Sequence, residues 1–262
     1  MAIVISFANN KGGVGKTTTT LIMAQAFARM KKKVLLIDLD SQANLTLLSG
    51  DFEPTSRELT IMDCFLTPGV LPIEKVTENI DLIPADLSLA TFDSSTAAMP
   101  EHLYLLDDLV VKKVRPEYDF ILIDCPPALG NIAYNAFIAS DFVTLITTPD
   151  ELSYQGLKMI YKLFHHVSTT ARLNTNLQLA GTIITKYERN KNSELFLRLL
   201  REDPQIRIIE PVITKATRIA QATSSRKSIF DIDPNSKSTQ QYVEVAKSLA
   251  LRVITESKKD NE

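Results

Sequence analysis

The chain has 262 residues, 45% of them hydrophobic and 23% charged, with a formal net charge of −2, a balance that excludes bulk disorder and a globally basic nucleic-acid binder. Its apolar runs, such as Val34–Leu39 and Phe142–Ile146, are far shorter than the roughly 20 residues that span a bilayer, and none forms a signal-peptide core. The two cysteines, Cys64 and Cys125, have no His or Cys at metal spacing, which argues against a disulfide scaffold and a zinc site and reads as a cytosolic chain.

The first predicted strand, over 2–8, runs into Asn9-Asn10-Lys11-Gly12-Gly13-Val14-Gly15-Lys16-Thr17-Thr18, and a helix is predicted over 16–31. Strand, glycine-rich loop and helix in that order make a phosphate-binding loop. Gly12, Gly13 and Gly15 let backbone N–H groups converge on phosphate oxygens, and the helix adds its free amides and positive dipole end. Lys16 is expected to reach the β- and γ-phosphates of a nucleotide, and Thr17 to place its hydroxyl on magnesium.

The second strand, over 34–39, leads into Asp38-Leu39-Asp40, where a period of two puts both carboxylates on one side of the strand end, near the expected phosphates. They either serve the site or cap the next helix. Ser49–Met99 reads as a loop-and-short-helix excursion around one strand at 80–83, followed by a helix over 103–114. The strand over 120–123 delivers Asp124, followed by Cys125-Pro126-Pro127, in the form of a Walker B segment whose carboxylate serves a metal through water. Further on come a strand over 142–146, a helix over 155–170 and a strand over 180–184. After it, Thr185-Lys186-Tyr187 either contacts a base or forms an ordinary strand-to-helix turn. Helices over 193–202 and 238–256 and a polar tail at 258–262 complete the chain.

Short buried-type strands alternating with amphipathic helices predict an α/β fold, a doubly wound and mostly parallel sheet with helices on both faces. Its ligands belong beyond the carboxyl ends of the strands. No repeat or Gly/Ser linker divides the chain, so 1–262 reads as a single domain with 258–262 frayed. Between Lys186 and Lys227 ten Lys or Arg face five Asp or Glu, a local 10 − 5 = +5 that leaves −7 elsewhere and points to a polyanionic partner.

The general Walker A pattern has glycine where this chain has Asn10, and a second lysine, Lys11, follows it. The string Lys11–Thr18 resembles the deviant Walker A motif of the ParA/MinD superfamily, and the whole chain resembles the ParA family of DNA-partition ATPases. Thr148–Ser153, Thr185–Asn192, Pro211–Ala222 and Asp231–Lys237 look like family landmarks in the right order. The resemblance implies a slow ATPase that uses ATP and Mg2+. Lys11 would touch the nucleotide of the other subunit in an ATP-bound homodimer. Asp40 would orient the attacking water, Asp38 would help hold magnesium-bound water and the switch loop, and Thr17, Asp124 and Asp40 would serve the metal. Pro126 through Gly130 looks like the γ-phosphate-sensing switch.

The same resemblance implies nonspecific double-stranded DNA binding through Arg189 and Arg218, with Lys215, Arg226 and Lys227 adding to the surface, and a ParB-type centromere-binding protein that stimulates hydrolysis. The first strand begins close to the N-terminus, as in compact members without a helix-turn-helix extension. A cytoplasmic, nucleoid-associated protein follows. The rival reading, a MinD-like membrane-associated positioning ATPase, shares the ATP site but requires an amphipathic membrane-binding tail. The final predicted helix reads instead as packed on the sheet, so no membrane partner is expected.

Overall fold

The computed structural model describes residues 1–50, 59–99 and 101–259. Seven strands form one sheet: β1 Ile3–Ala8, β2 Val34–Asp38, β3 Glu74–Thr77, β4 Ile80–Ile83, β5 Phe120–Asp124, β6 Phe142–Thr147 and β7 Gln178–Ile184, in the order β3-β4-β2-β5-β1-β6-β7. Every neighbouring pair is parallel except β3–β4. The doubly wound, mostly parallel α/β fold expected from the sequence is the one observed.

Alternate residues of the central strands enter two separate cores. Val4, Leu35, Ile37, Ile121 and Ile123 face one, and Ile5, Phe7, Val34, Leu36, Phe120 and Leu122 face the other. Both faces of each strand are therefore dry, which is why the runs read as continuously apolar rather than alternating. Helices α1 Lys16–Arg29 and α11 Lys237–Lys259 cover the second core, and Met23, Phe27, Tyr242, Val245, Leu249 and Val253 are buried there. On the other face lie α3 Ile61–Leu66, α6 Asn131–Ile138, α7 Glu151–Thr169 and α8 Lys191–Glu202.

Several elements depart from the sequence-based expectation, among them the following three. The excursion after β2 holds two strands, not one, because β3 adds to the edge of β4 with a half-exposed Glu-Lys-Val-Thr pattern. The helix expected over 103–114 begins with turns and is a π-helix over Asp107–Val111 before one α-turn at Lys112–Val114; the Asn135 side chain accepts from the Leu106 N–H at 3.0 Å at its start. Helix α11 continues through Lys258 and Lys259 of the expected polar tail, whose last three residues lie outside the described set.

The site follows from the order of the central strands. β2, β5 and β1 are adjacent, with Asp38 level with Asp124 and Asp124 level with Phe7. The loops that leave their carboxyl ends therefore meet, as open α/β sheets require.

Candidate active site

The loop after β1 turns through Gly13 and Gly15, with φ of +78° and +87°, and α1 starts at Lys16. A side chain at either glycine would be strained in this left-handed region. Gly15, the residue before α1, offers no side-chain cap and the first turn of α1 carries no acid, whereas α7 and α8 are capped by Asp150 and Asn190. The first amides of a helix have no intrahelical acceptor. At α1 they are left for an anion, which is the fit a nucleotide phosphate needs.

Lys16 lies in this cradle, 7% exposed, with its Nζ 2.8 Å from Asp124 Oδ1. Burial alone would depress the ammonium, but the Asp124 carboxylate outweighs it and holds the Lys16 pKa above the usual lysine value. The Thr17 hydroxyl donates to Asp124 Oδ2 at 2.7 Å, and the Thr20 hydroxyl reaches Asp124 Oδ1 at 3.4 Å. One hydroxyl and one carboxylate side by side are hard oxygen ligands that suit magnesium, which keeps most of its shell as water and phosphate oxygen. No cluster of three or more His, Cys, Asp or Glu side chains suited to a metal occurs among the described residues.

The two acids after β2 differ in environment. Asp38 is fully buried and accepts from the Thr46 N–H at 2.9 Å, the Thr46 hydroxyl at 2.8 Å and the Asp40 N–H at 3.1 Å. Burial and then the nearby Asp124 carboxylate push its pKa up to about 7. Its contacts tie the loop after β2 to α2, Asn44–Leu48, so it acts on the site through that loop. Asp40, 9% exposed, accepts from the Gln42 N–H at 3.0 Å and lies close enough to Lys16 to favour its charged form. Cys125, beside Asp124, is a packing residue whose thiol burial pushes up to about 12.

Lys11 stands apart from Lys16. Its Nζ donates to Asp150 Oδ1 at 2.9 Å and to the Ser153 hydroxyl at 3.0 Å, at the start of α7. Burial opposes ionisation of Asp150, but hydrogen bonds from Thr148, Lys11 and Ser153 outweigh it and hold its pKa at about 2. Lys11, Gly13, Asp150, Lys186 and Lys215 share the walls of an open cavity of about 430 Å³. A second cavity, of about 460 Å³, opens beside Gly15 and Thr18 and is walled by Ile213, Ile219, Ala220 and Tyr242. Its largely apolar walls beside the phosphate cradle suit a purine ring. Sequence reasoning missed these walls, because 213–224 and Tyr242 meet the loop only in the fold. Of Thr185-Lys186-Tyr187, the first two border this cavity.

The basic residues singled out from the sequence are all exposed. Lys215 is ion-paired with Glu188 beside Arg189, and Arg218 opens helix α9, Thr217–Ser224, 3.8 Å from Asp233. Arg226 and Lys227 follow the far end of α9, in a groove against Leu48 and Gly50.

A family model described as an AAA domain matches residues 2–179, more than half of the chain. The chain is 33% identical over 257 residues to the sporulation initiation inhibitor protein Soj of Bacillus subtilis, with 95% of this chain and 99% of the relative covered. It is 31% identical over 256 residues to the chromosome partitioning protein ParA of Caulobacter vibrioides, with 95% and 94% covered. Among solved structures, the cobyrinic acid a,c-diamide synthase of Mycobacterium smegmatis with a bound ATP analogue and magnesium superposes with a TM-score of 0.82 at 26% identity, covering 95% of each chain.

Proposed function

The chain belongs to the ParA family of partition ATPases and uses ATP and magnesium, and from that premise we propose that it is an ATP-gated DNA-segregation switch. In this reading an ATP-bound dimer holds duplex DNA without sequence preference and lets go on hydrolysis, which is slow until a ParB-type partner stimulates it. The observation that carries it is the position of Lys11. A second lysine in the phosphate loop, directed away from the Lys16–Asp124 pair and only about a third exposed at the mouth of an open cavity, has no work to do on its own loop. In this reading it leaves Asp150 to serve a nucleotide presented by another subunit.

Bound magnesium and ATP supply the transferable γ-phosphoryl group and neutralise its charge. Gly12–Gly15 and the first turn of α1 wrap the phosphates with N–H groups, and Lys16 adds a fixed ammonium. Thr17 and Asp124 hold the metal side. Asp40, at the rim of the cradle, orients the attacking water, while Asp38 pins the loop that carries Asp40. Pro126–Gly130 leaves β5 next to this loop, where it can respond to the γ-phosphate. Arg189, Lys215 and Arg218 form the DNA-facing surface. Phosphate contacts of this kind give salt-sensitive, sequence-independent affinity, and doubling them in a dimer turns a weak binder into a strong one. Arg226 and Lys227, at the other end of α9, extend that surface.

The membrane-switch reading is less well supported, because the apolar side of α11 is buried in the core. The test is retention on random-sequence duplex DNA at modest salt with ATP, ADP or no nucleotide, beside a lipid-vesicle control. Retention with ATP alone, lost in Lys16→Ala and prolonged in Asp40→Ala, is the expected result. Vesicle binding without DNA binding would replace this reading with the membrane switch, and unchanged nucleotide binding in Lys16→Ala would sink the assignment of the loop.

A further inference from the structure

Two side chains at the end of β7 reach the phosphate loop and take its carbonyls. The Thr185 hydroxyl, 2% exposed, donates to the Val14 carbonyl at 2.6 Å, and Lys186 Nζ donates to the Gly13 carbonyl at 2.6 Å. Their proximity to the loop is independent of those bonds, since a Cβ built on Gly15 would lie 3.7 Å from Lys186 Cε and 3.8 Å from Thr185 Oγ1. Lys186 holds this position with a left-handed backbone, φ +52°, a region that costs free energy for a residue with a side chain. The strain sits where the chain leaves β7 and Tyr187 pairs with Thr214 and donates to the Ile213 carbonyl.

A trans peptide directs its carbonyl and its N–H to opposite sides. Holding the Gly13 carbonyl therefore fixes the Val14 N–H, and holding the Val14 carbonyl fixes the Gly15 N–H. Successive amides turned to one side make a concave anion nest, and a left-handed residue at Gly13 and at Gly15 suits that form. We propose that Thr185 and Lys186 are positioning residues that clamp two consecutive peptides of the phosphate loop, so that the Val14 and Gly15 amides face the phosphates before the nucleotide arrives. The clamp rests on the phosphate-loop reading above and adds to it a source of preorganisation outside the loop. A loop free to rotate its peptides must order them on binding, at the expense of affinity for phosphates and not for the base.

Lys186 is exposed, so Lys186→Met leaves the core untouched and tests the clamp without risk to folding. The readout is displacement of a fluorescent ADP by unlabelled ADP and by pyrophosphate, with magnesium, in the full-length protein. Lys186→Met and Thr185→Val are each expected to weaken both competitors about tenfold, the size of one lost hydrogen bond involving a charge or a buried site. Lys186→Arg and Thr185→Ser are expected to restore affinity. Amide hydrogen exchange in the nucleotide-free protein should quicken at Val14 in Lys186→Met, with Gly15 and α1 unchanged.

Weakened ADP with unchanged pyrophosphate would overturn the proposal, because the two residues would then serve the base or sugar. Unaltered affinity for both competitors would overturn it equally. These outcomes are distinct from failure of the phosphate-loop reading, which would appear as wild-type affinity for ADP in Lys16→Ala and would remove the basis of both.

Discussion

Asp150→Asn is expected to tighten ATP-dependent dimerisation. In the free chain Asp150 holds Lys11 at 2.9 Å, and in the proposed dimer that pair must open before Lys11 can reach the nucleotide of another subunit. The substitution keeps the oxygen that accepts the Ser153 N–H at 3.0 Å and caps α7, while it removes the charge that holds the lysine. Both side chains are about a third exposed, so the pair is worth about 0.5–1 kcal/mol rather than the value of a buried one. Two pairs open per dimer, which gives about 1–2 kcal/mol, or a dimer Kd about 5–30-fold lower. Because Asp150 is held at about 2, it stays ionised across pH 6–8 and the effect should not vary in that range. Sedimentation of wild type and variant with a non-hydrolysable ATP analogue measures it. Ser153→Ala, which removes the 3.0 Å contact to Lys11, should act in the same direction and more weakly. Equal or weaker dimerisation of Asp150→Asn, with helix content unchanged, would refute the idea that this pair restrains Lys11.

Gly181 has φ +145°, and a Cβ there would come within 2.6 Å of Arg252 Nη1 and 2.7 Å of both the Arg207 carbonyl oxygen and Ile209 Cγ1. Gly181→Ala should therefore cost about 3–5 kcal/mol from strain plus overpacking, read as a lower urea midpoint; a loss under about 1 kcal/mol would show that the neighbours yield. Asp38 gives a pH dependence with a definite sign. Its folded pKa is raised to about 7 from 3.8, so the nucleotide-free folded chain keeps a proton that the unfolded chain gives up. Its contribution is most favourable at low pH and declines as pH rises through that window, then levels off; thermal unfolding of Asp38→Asn should have a flatter slope between pH 4 and 7. For the DNA surface, Arg189→Ala and Arg218→Ala should each lower the salt slope of duplex binding by about 2, one phosphate contact per subunit of the dimer, while ATP-driven dimerisation is kept. An unchanged slope would place the DNA surface elsewhere.

The parts of the site that were legible in the sequence are those set by local chemistry. Gly12 to Thr18 must be glycine, lysine and hydroxyl in that order for one loop to wrap a phosphate, and Asp124 is visible because a strand buried on both faces ends in a carboxylate. Strand β3 was not legible. Its four residues, Glu-Lys-Val-Thr, are half exposed at an edge, so pairing with β4 and not hydrophobic pattern makes it a strand. Helix α6 was hidden for the opposite reason. Asn131–Ile138 is short, mostly apolar and without a clear polar face, and it follows a Pro- and Gly-containing loop that reads as a turn.

The two aspartates after β2 mark the limit of what spacing can tell. Period two predicts Asp38 and Asp40 on the same side of the strand end, but β2 stops at Asp38, and their chemistry differs because of a residue eight positions after Asp38. Thr46 gives Asp38 both its N–H and its hydroxyl, and in turn accepts the Ala85 N–H at 3.0 Å, so Asp38 is sealed into a junction between β2, α2 and the end of β4. Asp40, at 9% exposure, accepts on its side chain from the Gln42 N–H alone among the described residues and retains acceptor capacity at the cradle rim. A carboxylate already saturated by protein donors is poorly placed to orient water, whereas one with free acceptor sites beside Lys16 is not. The division of labour proposed for them therefore rests on the hydrogen-bond inventory of the folded loop, which the motif alone does not supply.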